Sequence, residues 1–371
     1  MADADPPNPE PDESPKRKRR LGIPGLRGAI LGAGDPAPPA TPKPSKLNQK
    51  QLSGKLAGLS LPKQVFVLAL WPLLEQVMNF LVGLVDMAIA GRLPGDDSSL
   101  AAIGAIGVAS YFVWLMTILQ AAVGVGASAI VSRAVGASHR RLANAGTGQA
   151  IVLGIGSGLF AGAVIFLAAS WIASVFGLQG DAQRMAADYI RITALGIPMC
   201  GALFTGSAVL RAAGDTRSPF LAMLLVNLVN VTVSVGLGGL SVGEDQVIGL
   251  GLGVNGIAWG TATAWTVGGL VVLGILLSGK SELRLRPHRL KPHWHTMRRI
   301  IKVALPNLYF QLAFFGINLG LLIYIIFLDT DVEVTVGAHT IAMRIKSISF
   351  LPGFAISVAA STLTGQYLGL G

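Results

Sequence analysis

Two acids interrupt one apolar run, "LLEQVMNFLVGLVDMAIAGRL" at residues 73–93: Glu75 and Asp86. A charge near the middle of such a segment costs roughly 2.5–3.5 kcal/mol, so it usually serves a proton, an ion or a ligand. Residues 7 and 11 apart on a helix differ in direction by only about 20°, and those 4 apart by about 40°. Glu75, Asn79 and Asp86 therefore make one polar stripe, about 16 Å long at roughly 1.5 Å per residue. In lipid the stripe would be intolerable, so it must face a bundle interior or water. The alternative is a structural one, a salt bridge or an interhelical hydrogen bond. No Lys or Arg stands clearly at matching depth in the first six apolar spans, which favours a working role. Further along, "LVNLVNVTVSVG" puts Asn227 and Asn230 on one face, with Ser234 four residues on. Interhelical hydrogen bonding and ion coordination by oxygen both remain open for these residues.

The elements that must hold these groups are membrane helices. The chain has 371 residues, is 52% hydrophobic and only 13% charged, with a mean hydropathy of +0.60. A soluble domain would carry about 25% charged residues. Eight apolar spans are predicted near 64–91, 100–131, 145–176, 188–210, 219–239, 250–278, 299–328 and 335–366, each long enough to cross a bilayer. Strict polar–apolar alternation, the mark of a membrane barrel, is absent, so the fold class is all-α and polytopic. The 47 glycines permit close helix packing.

Residues 1–60 hold eleven prolines and alternating charge blocks, which predicts a disordered cytoplasmic tail without a cleavable signal. Its "PKRKRR" and the net charge of +10 suit lipid headgroups or solvent better than nucleic acid. The single Cys200 reads as a small core residue. The loops after spans two, four and six are basic. They hold Arg133, Arg140 and Arg141, then Arg211 and Arg217, then eight Lys or Arg within residues 279–302. The opposite loops carry "RLPGDDSS", "GEDQ" and "LDTDVE". This asymmetry predicts a plasma (inner) membrane protein with a cytoplasmic N-terminus.

The chain also repeats itself. "LALWPLLEQ" (68–76) matches "VALPNLYFQ" (303–311), and "GASAIVSRAVG" (126–136) matches "AASTLTGQYLG" (359–369), at offsets of 235 and 233 residues. Six helices separate the copies, so they run the same way through the membrane, related by an axis along its normal. The expected domains are the tail 1–60, a first six-helix lobe 61–297, and the first two helices of a second lobe, 298–371. On this count the sequence supplies about two thirds of a six-plus-six architecture.

"LVGLVDMAIAGRL" resembles the first-helix signature of the multidrug and toxic compound extrusion (MATE) transporters, roughly L-V-D-T-x-x-x-G-x-L. "VLRAAGDTRSPF" (209–220) is similar to that family's fourth-to-fifth-helix signature, and "GVGASAIVSRAVGA" and "VAASTLTGQYLG" resemble its second and eighth helices. The resemblance spans residues 61–371. It implies efflux of small organic, cationic compounds, driven by inward sodium ions or protons as two lobes rock around a central cavity. Lipids are the expected surroundings, with no cofactor, no resident metal beyond sodium, no nucleic acid and no required oligomer. By the same resemblance Asp86 binds the coupling cation, with Asn227, Asn230, Ser234 and, on the sixth span, Thr261 as oxygen partners. Ser234 stands where part of the family has Asp. Glu75, Asn79 and Gln311 are expected in the substrate cavity or a proton relay.

In the second copy, leucine at 321 replaces the acid equivalent to Asp86, and Asn307, Gln311 and Asn318 form an uncharged stripe. Arg344 and Lys346 line the cavity or snorkel outward. A Ser128–His339 hydrolase dyad is the enzymatic alternative. It is disfavoured because Ser128 recurs as Ser361 in the repeat, which suggests packing. A flippase for lipid-linked substrates and an inactive fragment of the antiporter are the other readings.

Overall fold

In a computed structural model the chain is described at residue 56 and over residues 58–90, 92–93, 96–175, 180–241, 247–328 and 332–370. Eight helices are found among them: α1 Leu61–Ala90, α2 Asp96–Gly136, α3 Arg140–Val175, α4 Gly180–Ala212, α5 Arg217–Gly238, α6 Val254–Ser278, α7 Trp294–Leu328 and α8 Val332–Leu370. Each contains a stretch long and apolar enough to cross a membrane. This is an all-α, multi-span membrane protein. Every expected span is present, most of them extended by a turn or more. Among the described residues the one departure from all-α is a two-residue antiparallel ribbon in the α5–α6 loop, Leu240–Ser241 with Val247–Ile248. Most of the expected tail, residues 1–60, lies outside the described residues.

Glycine explains how tightly the helices pack. Gly154, Gly158 and Gly162 line one edge of α3. A Cβ on any of them would stand 2.6–2.8 Å from atoms of Thr205, Ile197 or Ala194 on α4. Across α4 and α6, Gly196 and Gly269 are closed off in the same way by Ala262 and Met199. Small residues every fourth position let backbones approach where lipid supplies no hydrophobic drive. α4 is accordingly the most enclosed helix, and the large apolar side chains of α3 (Leu159, Phe160, Leu167, Trp171) point outward.

The repeat reappears as paired contacts around α2 and α8. A side chain on Gly136 would strike Gln366, and one on Gly369 would strike Arg133. At the offset of 233 these two contacts exchange places. Gly365 lies against Ser132, its own repeat mate, which puts that contact on the axis. Likewise Gly126 of α2 abuts Ala304 of α7, while their mates Ala359 and Ala69 share a cluster between α8 and α1 with Leu68 and Leu363. The α7–α8 pair thus meets the first helices across a local twofold.

The repeated serines behave as packing residues. Ser128 and Ser361 each donate to the carbonyl three residues upstream, at 2.9 and 3.0 Å, as mid-helix hydroxyls do. The His339 side chain lies outside the described residues.

Candidate cation site and the contacts around it

Four helices bring oxygen-bearing side chains to one place. Asp86 sits one turn before the end of α1, its Oδ1 buried and without a hydrogen-bond partner. Tyr189 of α4, buried, lies within electrostatic reach of Asp86 and beside Thr261. Thr261 of α6 accepts from Asn230 Nδ2 of α5 at 3.3 Å and donates to the Ile257 carbonyl at 3.4 Å. One turn beyond Asn230, Ser234 is fully buried against Gly260, the residue before Thr261. The glycine is required there, because a Cβ would collide with the serine hydroxyl.

Among the described residues, five buried side-chain oxygens lack a hydrogen-bond partner, and three are Asp86 Oδ1, Asn230 Oδ1 and Ser234 Oγ. Leaving one such group unsatisfied costs about 1–3 kcal/mol. Asn230 and Ser234 lie beside Thr261 and Gly260, with Asp86 across Tyr189, and a carboxylate near neutral oxygens is a donor set suited to a hard monovalent cation or a proton. Among the described residues no three His, Cys, Asp or Glu side chains gather.

The structure therefore brings together Asn230, Ser234 and Thr261, with Asp86 on the far side of Tyr189. Asn227, a turn earlier on α5, is only half-buried and takes no part in the Asn230–Thr261 contact. Tyr189 was not among the expected site residues. The fourth span was expected to begin at 188, whereas α4 begins at Gly180 and carries Tyr189 well inside it. The available signal was a phenol near an apolar span, which needs a polar partner when buried.

Glu75 requires a correction. It belongs to no free polar stripe: Arg211 Nη1 donates to both of its carboxylate oxygens at 2.9 Å, with both side chains nearly buried. Arg211 was read as a loop residue, but α4 continues through Ala212 and carries the guanidinium to the depth of Glu75. The structural alternative thus holds for this acid. Asn79 is also locally engaged, donating to Gln76 Oε1 at 3.0 Å. Gln311 is half-buried on α7, away from the Asp86 cluster on α1, α4, α5 and α6. Asn318 accepts from Lys346 Nζ at 3.1 Å, and that ammonium lies 4.8 Å from the Phe314 ring centre. The side chain of Arg344 lies outside the described residues.

The stretch around Arg211 ties three helices together. The Arg211 carbonyl accepts from Thr362 Oγ1 of α8 at 3.4 Å, and the Ala212 carbonyl from Gln366 Nε2 at 2.9 Å. Gly214 then turns the chain with a φ of 91°. Asp215 caps α5 through the Ser218 N–H at 3.1 Å, and Arg217 lies over the Trp71 ring of α1. The segment "RAAGDTRSP" is thus a structural hub.

Comparison with known proteins agrees with this architecture. The MatE family model matches residues 73–235. The probable multidrug resistance protein NorM of Thermotoga maritima is 28% identical, over 83% of this chain and 64% of its own length. The FAD transporter of Shewanella oneidensis is 25% identical, over 81% of this chain and 65% of its own. Among solved structures, a MATE in complex with MaD3S superposes with a TM-score of 0.71 at 22% identity, over 83% of this chain and 66% of that one. A MOP superfamily transporter from Pyrococcus furiosus gives the same TM-score at 23% identity, over 83% and 65%. The chain spans just under two thirds of the length of the curated relatives it matches. Residues 73–235 match the MatE family model, and the fold is that of the multidrug and toxic compound extrusion transporters.

Proposed function

We propose that the chain supplies the first lobe, residues 61–297, and the opening of the second, 298–371, of a secondary antiporter that exports small organic molecules against inward sodium ions or protons. The observation that supports this most is the cluster of orphaned oxygens at Asp86, Asn230 and Ser234 around Thr261 and Tyr189. A cation or proton bound there satisfies oxygens that otherwise have no partner, and so favours the arrangement that gathers them. Its release reverses that bias, which is how a bound ion shifts a two-state equilibrium. The rocking of one lobe against the other is the motion this couples to. The basic loops lie on the cytoplasmic side of the plasma membrane, following the charge asymmetry.

Asp86→Asn keeps the shape and removes the titrating charge. In the complete transporter, reconstituted in vesicles under a sodium or a proton gradient separately, this variant should insert normally and lose ion-driven export. Undiminished export under both gradients would overturn the assignment.

A second reading concerns the cargo. Lys346 places an ammonium beside Asn318 and the Phe314 ring, a combination that favours an anionic aromatic cargo over a cationic one. One relative bears the name FAD transporter. Running the same assay with an organic cation and an organic anion separates the two.

A further inference from the structure

The linker between α6 and α7 is docked rather than loose. Gly279 ends α6 with a left-handed φ of 66°, and the chain then folds back against the helices. The Leu285 N–H donates to the Leu276 carbonyl at 2.8 Å, and the Arg284 N–H to Asn144 Oδ1 at 2.9 Å. Gln149 of α3 holds the far end, donating to the Lys291 carbonyl at 2.8 Å and accepting from the His293 N–H at 2.6 Å. Over "LRLR", side chains alternate between two faces. Leu283 and Leu285 are buried, while Arg284 and Arg286 are exposed.

This docking leaves a groove of about 360 Å³ between α3 and α6. Ile151 and Ile155 form one wall, Leu273 and Leu277 the other, with Leu285 and Leu290 from the linker closing its end. Gly156 opens the wall, since a Cβ there would meet nothing within 4 Å. The groove belongs to the outward side of α3, where Leu159 and Phe160 are 62% and 74% exposed and can only be facing lipid. The linker that closes it is basic: it carries Lys280, Arg284, Arg286 and Lys291, while Glu282 lies in electrostatic reach of Arg140.

We propose that this groove binds an acyl chain of an anionic phospholipid, whose headgroup phosphate is held by Arg284 and Arg286. An apolar slot open to lipid, closed at one end by a linker whose outer face carries Arg284 and Arg286, matches both halves of such a molecule. A guanidinium grips a phosphate through two parallel N–H bonds. A zwitterionic lipid offers the same chain but brings a quaternary ammonium to the basic rim. The bound lipid bridges α3, α6 and the linker to α7, so it steadies the connection between the lobes.

The test uses the whole chain, stripped of lipid in detergent, with binding counted by native mass spectrometry. Phosphatidylglycerol should be retained in preference to phosphatidylcholine, and inorganic phosphate should not displace it. Arg284→Gln and Arg286→Gln, both at exposed positions, should each weaken phosphatidylglycerol binding about fivefold. Gly156→Trp should block the groove while leaving the rim charges in place, abolishing retention of the lipid. Equal retention of the two lipids, displacement by phosphate alone, or a preference that survives the arginine variants would overturn the proposal.

Discussion

Tyr189 adds a buried hydroxyl to the membrane site. It lies within electrostatic reach of Asp86 on α1 and beside Thr261 on α6, and Thr261 in turn engages Asn230 on α5. Removing it leaves the carboxylate and the neutral oxygens in place but without that polar neighbour. Tyr189→Phe should therefore lower sodium or proton affinity by roughly fivefold, about 1 kcal/mol for one polar contact to the occupied site. Isothermal titration with sodium, with pH varied in a second series, would read this, and unchanged affinity for both ions would remove Tyr189 from the site. Asp86, Asn230, Ser234 and Thr261 were legible in the sequence because each sits among apolar residues at helical spacing. Tyr189 was not, because its role depends on what stands across from it, and periodicity within one helix does not report its neighbours. Asn227 shared a face with Asn230 by spacing, yet one turn on α5 is enough to leave it at the edge of the packed interface.

At the scale of elements, the eight helices were readable because apolar length is a strong signal in lipid. Their ends were not, and one end mattered. Arg211 reads as a basic loop residue until α4 is seen to run through Ala212, where it meets Glu75 of α1. Two buried charges that satisfy each other are costly to separate. Glu75→Gln strands the guanidinium and should destabilise the fold by roughly 3–5 kcal/mol. Replacing both partners by leucine should cost far less, because no uncompensated charge remains. Unfolding midpoints of the two single variants and the double variant, measured in one detergent, form the required cycle. If the singles are as mild as the double, the pair does not hold α1 to α4. The same segment offers its carbonyls to Thr362 and Gln366, so α8 docks onto the ion-paired end of α4. A charge read as a transport group from its position along α1 is instead part of the joint where α1, α4 and α8 meet.

For the molecule as a whole, the repeat noticed in the sequence becomes a symmetry of contacts. Gly136 faces Gln366 and Gly369 faces Arg133, and the two contacts are equivalent under the local twofold that relates α1–α2 to α7–α8. The on-axis Ser132–Gly365 contact lies between these two, so all three belong to one α2–α8 interface. Adding bulk to either glycine should therefore have the same consequence. Gly136→Val and Gly369→Val should each overpack the contact by roughly 1–3 kcal/mol. Each should part α2 from α8 at that end to a comparable degree. Hydrogen exchange at the Arg211–Asp215 turn, which leans on α8 through Thr362 and Gln366, would report the separation in both variants. Faster exchange in both, of similar size, is the expected result. If Gly136→Val loosens the turn while Gly369→Val leaves it as protected as before, the two contacts are not equivalent. The twofold would then be a relic of sequence with no part in how the lobes move.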